Sequence, residues 1–390
     1  MKRYLIIGNG VAGTTAAEHI RRHDEQGEIT ILTDEELPFY YRIRLNDYIS
    51  GDLGKKDLIA KKAEWYAERR IKLRTGVRVT GADPEKQYVM TAGQERYPYD
   101  LLLLATGSRS FVPPIRGADT NGVFTLRTVA DADRIMSFGS GRDNVLLIGG
   151  GLLGLETGKA FQKMGKQVMV VEFFPRLLPR QLDDRGAARL RNMLEDMGFA
   201  FRLGAVTREI MGSDAVESVV LESNEVIGAD MVIISAGVRP DLDLAKQLGL
   251  ACGKGITVDA ALRTSRPEIF AAGDAAEFAG ILYGIWPAAM QQGEIAGTNM
   301  AGGRETYHGS VMANKLKVVG IDLAAAGEID AENRLSARIT ETDTVYRKIV
   351  LDGNRIIGCI LLGDTADYAA ITKMIRDKKD IREMKETLKL

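Results

Sequence analysis

Residues 146–158 read LLIGGGLLGLETG: an apolar run ends in Gly149, Gly151 and Gly154 and then opens into helical text. Residues 5–17, LIIGNGVAGTTAA, do the same with Gly8, Gly10 and Gly13. Three glycines at this spacing let a chain turn tightly off a strand, bring backbone against a pyrophosphate and pack helix against strand. The helix that follows offers unpaired N–H groups and about half a positive charge to the phosphates. With 42 glycines in 390 residues, one such match is expected by chance roughly half a time, so context has to carry the reading. Both loops follow an apolar strand, open a helix and lead to a second strand ending in acid about 20 residues on. The acids are Asp34 and Glu35 in the first unit and Glu172 in the second, each suited to a ribose 2′-hydroxyl. The chain therefore reads as a binder of two dinucleotides.

Composition bounds the rest. A chain of 390 residues is long for one core, so two or three domains are expected. Hydrophobic residues make up 45%, charged residues 27%, and the net charge is −1, ordinary for a globular protein and giving no reason to expect nucleic acid or an anionic membrane as partner. The apolar run at the N-terminus breaks into glycine after four residues, too short for a signal peptide, and no stretch has the length of a membrane span. A cytoplasmic location is expected. Cys252 and Cys359 form no metal-ligand or disulfide pattern, and with three histidines in the chain no metal site is expected.

Strands are predicted at 4–7, 28–32, 101–104, 145–148, 167–171 and 231–234, and helices at 12–22, 153–164 and 185–197. Strand, helix, strand in that rhythm predicts an α/β fold with parallel sheets and helices on both faces. From about residue 310 the texture changes to short strands (315–321, 344–351, 355–362) and a charged helix, predicting a smaller α+β domain. Three further segments end strands in small residues: LLLLATGS (101–108) in Ala105, Thr106 and Gly107, VIISAGVRP (232–240) in Gly237, and IFAAGDAAEF (269–278) in Gly273 and Asp274. Small residues admit a ligand against the backbone, a carboxylate at 274 can accept bonds from a ribityl chain, and a helix is expected to follow it.

In this order on one chain, the segments resemble the two-dinucleotide flavoproteins, the pyridine nucleotide–disulfide oxidoreductase superfamily. The resemblance covers about residues 1–310. It implies two Rossmann-like domains: a flavin domain of residues 1–113 and 240–308, a nicotinamide domain of residues 114–239 inserted into it, and a C-terminal α+β domain at 309–390. It implies FAD near Gly8, Gly10, Ala12, Gly13, Asp34, Glu35, Arg42, Val79, Ala105, Thr106, Gly107, Gly273 and Asp274. It implies NAD near Gly149, Gly151, Leu152, Leu153, Gly154, Glu172 and Gly237, with Glu156 as the catalytic-site residue where nicotinamide meets flavin. A carboxylate at 172 would repel a 2′-phosphate, so NADH is favoured over NADPH, with Arg176 four residues on as the one opposing cation.

Disulfide reductases of the superfamily carry CxxxxC after the first acid, and the peroxidase branch one redox cysteine. Here that text is FYYRIRLNDYISG (39–51), without cysteine. Relatives lacking the thiol include ferredoxin and rubredoxin reductases and the flavin module of assimilatory nitrite reductase. Several place a lysine where this chain has Asp47, so an ion pair from that position to Glu156 is not expected. The segments PFYYRIRLN (38–46) and WYAERRIKL (65–73) resemble NADH:rubredoxin oxidoreductases. VVEFFPRLLPRQLD (170–183), WPAAMQQGEIAGTNM (286–300) and NKLKVVGIDL (314–323) resemble both these and the nitrite reductase module. The implied function is electron transfer from NADH through FAD to a small one-electron protein such as rubredoxin. The alternatives are a module serving nitrite reduction, an NADH oxidase using oxygen, and a flavin-bearing NADH sensor. An acidic acceptor would want a basic surface, with Arg176, Arg180, Lys315, Lys317 and the helical text from Lys373 as candidates.

Overall fold

The structure is a computed structural model of the chain, and it describes residues 1–310 and 313–380. They group into two compact units: Met1–Leu45 with Leu53–Arg109 and Val238–Ser310, and Asn46–Asp52 with Ser110–Gly237 and the described part of Val311–Leu390.

The first unit is built on a five-stranded parallel sheet in the spatial order Ile269–Ala271, Leu101–Leu104, Arg3–Ile7, Glu28–Leu32, Ile71–Arg74. Its central strands are almost uninterrupted apolar runs because both faces are covered, though not by helices alone as the sequence suggests: Val89 of the separate antiparallel strand Tyr88–Thr91 is fully buried in the same core. Ile6, Ile31, Leu103 and Ala271 are all fully buried. On one face the helix Val11–His23 packs on the helix Trp286–Met300 with unusually small residues between them. A Cβ on Gly293 would lie 2.5 Å from the Ala12 carbonyl oxygen, and one on Gly297 would lie 2.4 Å from that of Ala16. The helix 286–300 thus meets Val11–His23 closely through Gly293 and Gly297.

The second unit repeats the plan. Its parallel sheet runs Val123–Phe124, Met231–Ile234, Asn144–Ile148, Gln167–Glu172, Phe199–Leu203. The two sheets match strand for strand except at one edge. The first unit draws that edge strand from residues 269–271, late in the chain, and the second from 123–124, ahead of its glycine loop. Residues 46–52, part of the cysteine-free text, belong to the second unit. Thr157 Oγ1 donates to Asn46 Oδ1 (3.0 Å), the Tyr48 hydroxyl donates to Asp133 (2.7 Å), and Lys163 pairs with Asp52 (2.6 Å).

The C-terminal residues form an antiparallel sheet in the order Ala313–Val318, Ile321–Gly327, Arg355–Leu362, Tyr346–Asp352, Ser336–Glu341. The single strand predicted at 315–321 is instead a hairpin. Val319 (φ 58°) and Gly320 (φ 88°) are both left-handed, the requirement of a tight two-residue turn that matches strand twist. The helix here is Tyr368–Asp377, ending on a left-handed Lys378. It buries Ile371 and Met374 and packs Ile375 on the sheet. The helical text expected from Lys373 onward lies outside the described residues from position 381. Among the described residues, no helix is long and apolar enough to cross a membrane.

A buried polar cluster joins this sheet to the helix Asp184–Asp196. Lys348 and Asp183 are both 0% exposed, 3.2 Å apart. Lys348 also donates to the Asp330 carbonyl (2.6 Å) and Asn333 Oδ1 (2.7 Å). Asp183 accepts from the Tyr346 hydroxyl (2.6 Å) and, as helix cap, from the Gly186 N–H (3.0 Å). Burial and then the Asp183 bond push the Tyr346 phenol well above its ordinary pKa. Removing one partner would strand a buried charge, which costs about 3–5 kcal/mol. Lys348→Met is therefore expected to lower the thermal midpoint in calorimetry, and far more than Lys378→Met at the exposed end of the last helix.

Candidate functional site

Both glycine loops sit at the carboxyl end of a central strand, where the strand order reverses, the place open α/β sheets offer to ligands. In the first, Gly8 has φ +111°, and a Cβ there would lie 2.1 Å from the Ala105 carbonyl oxygen at the end of the neighbouring strand. In the second, Gly149 has φ +115° and a Cβ would lie 2.4 Å from the Ser235 carbonyl oxygen. The third glycines repeat the pattern: a Cβ on Gly13 would sit 2.0 Å from the Gly8 oxygen, and one on Gly154 2.3 Å from the Gly149 oxygen. The middle glycines differ. Gly10 and Gly151 open the helices Val11–His23 and Leu152–Lys163 without a side-chain cap, and a Cβ on either would meet nothing within 4 Å. Four glycines are required by the protein's own packing, and two face open space.

In the first unit the structure brings most of the expected residues together. Gly273 (φ +83°) packs against Ala12, with 3.1 Å from its would-be Cβ to the Ala12 Cβ, and its N–H is taken by Gln292 (2.8 Å). Asp274 accepts from the Ser108 hydroxyl (2.7 Å), and Thr106 Oγ1 donates to the Asp241 carbonyl (3.0 Å), ordering the turn at Gly107 (φ +70°). Glu35 accepts from Arg42 (2.5 Å) and from the Tyr40 hydroxyl (2.5 Å), so it forms an internal pair. Burial weighs against the Arg42 charge, but Glu35, Tyr40 and Asp274 around it more than compensate and raise its pKa. Val79 stands on the separate antiparallel strand Val79–Asp83 and packs on the edge of the core. The helix expected directly after Asp274 is a single 3₁₀ turn, Gly273–Ala275, followed by the strand Ala276–Phe278. The next helix begins at Trp286, because 276–278 pairs in parallel with Ile256–Val258.

The two loops are not equivalent at their acids. Leu32 takes the Gly8 N–H on its carbonyl as Val171 takes that of Gly149, both at 2.8 Å, so by register the counterpart of Glu172 is Thr33. Asp34 lies exposed beyond it. Glu172 is 6% exposed, and its two oxygens accept from the Gly150 N–H (2.5 Å) and the Phe174 N–H (2.8 Å). Phe173 and Phe174, 64% and 49% exposed, stand edge to face beside it at 5.3 Å. Arg176 pairs with Asp184 (3.0 Å). Leu152 and Leu153 open the second helix, with Leu153 49% exposed, and Gly237 (φ +95°) has open space at its Cβ position.

Glu156 lies one turn into that helix and accepts the Val319 N–H from the hairpin tip (3.2 Å). Burial chiefly, and then the nearby Asp47 charge, push its carboxyl above the ordinary glutamate value, while Val319 and Lys159 act in the opposite direction. Position 47 thus sets a second acid near Glu156, not a cation. Asp47 was legible in the sequence, but the Val319 contact was not. Also missed were Asn9 and Tyr66, whose hydroxyl donates to Asn9 Oδ1 (3.1 Å), because a 57-residue separation leaves no local signal. Burial raises the thiol pKa of Cys359 to about 12 and also raises that of Cys252, the opposite of what a redox thiolate needs.

Residues 2–293 match the model of the pyridine nucleotide-disulphide oxidoreductases. The chain belongs to that family. Membership implies FAD and NAD(P)H, and makes the protein an NAD(P)H-dependent flavin oxidoreductase. Residues 313–379 match the rubredoxin NAD+ reductase C-terminal domain. The chain is 36% identical to a Bacillus subtilis nitrite reductase [NAD(P)H] over 98% of its own length and 48% of that protein's. It is 33% identical to an NADH oxidase of Methanocaldococcus jannaschii, over 83% of this chain and 76% of that one. The crystal structure of NADH:rubredoxin oxidoreductase from Clostridium acetobutylicum matches with a TM-score of 0.84 and 29% identity, over 98% of this chain and 97% of that one. The chain spans about half the length of the nitrite reductases it matches.

Two outcomes test the roles of the glycines and of Glu156. Gly8→Ala is expected to be insoluble, since its Cβ meets a backbone oxygen and its φ is left-handed. Gly10→Ala is expected to fold with an unchanged apoprotein melting point but to hold FAD at least tenfold more weakly in fluorescence titration. A folded Gly8→Ala, or a Gly10→Ala with intact FAD affinity, would contradict this division. For Glu156, a raised native pKa means the folded state holds its proton more tightly than the unfolded chain. Its contribution is fully present below the ordinary glutamate value and is lost as pH rises through the native one. Glu156→Gln, which keeps an acceptor for Val319, should therefore gain stability relative to wild type between pH 4 and 8 in urea melts; a pH-independent difference would refute the shift.

Proposed function

We propose that the protein carries electrons from NADH, through FAD in the first unit, to a small one-electron redox protein of the rubredoxin type. The observation that carries this reading is the end-to-end likeness to an NADH:rubredoxin oxidoreductase, which the chain matches over 97% of that protein's length, C-terminal domain included. The thiol-free segment 39–51 and the raised thiol pKa values agree with it, because no cysteine is placed to relay electrons. Bound flavin supplies acceptance of an electron pair from NADH and release of electrons singly.

The residues of the first unit fit that group. Open space at Gly10, an uncapped helix N-terminus and the polar groups of the pairs Arg42–Glu35 and Ser108–Asp274 in the same unit suit a diphosphate flanked by sugar hydroxyls. In the second unit Gly151 and Leu152 offer the same opening to NADH, Glu172 keeps lone pairs for ribose hydroxyls, and the Phe173–Phe174 pair provides an apolar face for an adenine. NADH is preferred to NADPH because the carboxylate of Glu172 would meet a 2′-phosphate, while Arg176 is already paired with Asp184. Glu156 orients the carboxamide of the nicotinamide. A second reading, a flavin module feeding nitrite reduction, is favoured by the higher identity to nitrite reductase, although the chain spans about half of that protein.

Anaerobic stopped-flow separates the readings. Flavin reduction is expected to be at least a hundredfold more efficient with NADH than with NADPH, and reoxidation by rubredoxin should be fast while oxygen reacts slowly. Rapid oxygen reaction with inert rubredoxin would make the protein an oxidase. Reoxidation by a haem–iron–sulfur nitrite reductase domain alone would favour the second reading.

A further inference from the structure

The hairpin turn Val319–Gly320 carries a residue that tight turns ordinarily avoid. Both central positions of such a turn are left-handed, so asparagine, aspartate or glycine usually fills them. Here a valine sits at φ 58°, a genuine outlier for a β-branched side chain. A hairpin tip is also ordinarily solvated, yet Val319 is only 5% exposed, while Gly320 beside it is open. Turn chemistry explains neither choice. Backbone strain of this kind persists where the surroundings fix it, and such places cluster at functional sites.

The surroundings are the helix Leu152–Lys163. The strand Ala313–Val318, which leads to the tip, lies against that helix. The Val319 N–H donates to Glu156 Oε1 (3.2 Å), and a Cβ on Gly320 would lie 3.3 Å from Lys159 Nζ, about one turn further along. Register holds the tip in place. Val318 pairs with Ile321, and Leu323 pairs with Leu362 of the neighbouring strand. Ile321 and Leu323 are both buried, so a slip of one residue would turn them out of the core. Among the described residues, the Val319 amide is the donor that holds the Glu156 carboxylate, with Lys159 and Asp47 as the charges near it.

We propose that the Val319–Gly320 tip is a positioning element of the nicotinamide site, which fixes the Glu156 carboxylate through the Val319 amide. The proposal rests on the reading that Glu156 meets the nicotinamide carboxamide. It gives the C-terminal sheet a part in the reaction of NADH, separate from any part in meeting an acceptor. Val319→Pro is the discriminating variant, because proline lacks the amide proton and cannot adopt φ 58°. Gly353→Pro is its control. Gly353 (φ 57°) lies in the turn between Tyr346–Asp352 and Arg355–Leu362, at the opposite end of the same sheet.

The experiment has two arms on the full-length chain. In the apoprotein with carbon-13-labelled glutamate carboxyls, NMR follows the titration of Glu156, assigned by its loss in Glu156→Gln. Val319→Pro should move that titration by about half a pH unit or more, upward if the amide alone is lost and downward if water reaches the carboxyl. Gly353→Pro should leave it in place. In the holoprotein, anaerobic stopped-flow reads the limiting rate of flavin reduction by NADH, per bound flavin. Val319→Pro should lower this rate about tenfold and Gly353→Pro should not change it. Val319→Pro combined with Glu156→Ala should fall within about twofold of Glu156→Ala alone, because one acts through the other. An unmoved titration, a wild-type rate in Val319→Pro, an equal loss in Gly353→Pro, or losses that multiply in the double variant each overturn the proposal. If Val319→Pro does not fold, Gly320→Val, which strains the same turn, decides by the same readouts. A wild-type rate in Glu156→Ala overturns the placing of Glu156 at the nicotinamide, a result distinct from a slow Glu156→Ala beside a wild-type Val319→Pro.

Discussion

Both glycine turns of this molecule depend on backbone contacts that leave no room for a Cβ. Gly8 closes on the Ala105 carbonyl and Gly149 on that of Ser235, each in a left-handed conformation that other residues adopt only at a cost. Those approaches let the chain leave the central strand, reverse within a few residues and start a helix whose N-terminus points over the strand ends. Gly13 and Gly154 then let the helix settle on the turn itself. The remaining pair, Gly10 and Gly151, face open space, so their lack of a side chain serves something other than the protein's own packing.

From that shared device the two units diverge according to what each loop meets. In the second, Glu172 sits at the strand end and knits the loop to the strand through the Gly150 and Phe174 amides. In the first, register puts Thr33 at the matching position, and Glu35 beyond it is bound to Arg42 and Tyr40. The loop there is steadied from a distance by Tyr66 acting on Asn9. One turn geometry is thus supported by a local acid in one case and by a remote phenol in the other.

The C-terminal sheet is tied to the second unit by interactions of two kinds. Lys348, Asp183 and Tyr346 form a dry, fully bonded polar cluster, a construction that fixes geometry more than it adds stability. The Val319 hairpin tip reaches Glu156 through a backbone N–H, which no change of the Val319 side chain short of proline would remove. Position 47 adds a second acid near Glu156, and the electrostatics of this carboxyl depend chiefly on burial and a backbone donor.

The sequence by itself determined the two parallel sheets, because short apolar strands, glycine turns and helices announce themselves through local spacing. The strands 28–32, 101–104 and 231–234 form over the residues read for them. It also determined the family and the absence of a redox thiol from 39–51, since a missing residue type is visible without coordinates. Only the tertiary structure decided which glycines are packed and which are open, that Thr33 and not Asp34 matches Glu172, and that Asn9 is bonded by Tyr66. It also turned one predicted strand into a hairpin at Val319–Gly320, where a β-branched run conceals a left-handed turn, and replaced the helix expected after Asp274 with a strand. These outcomes depend on register and on contacts between residues far apart in the chain, which neither local propensity nor motif spacing encodes.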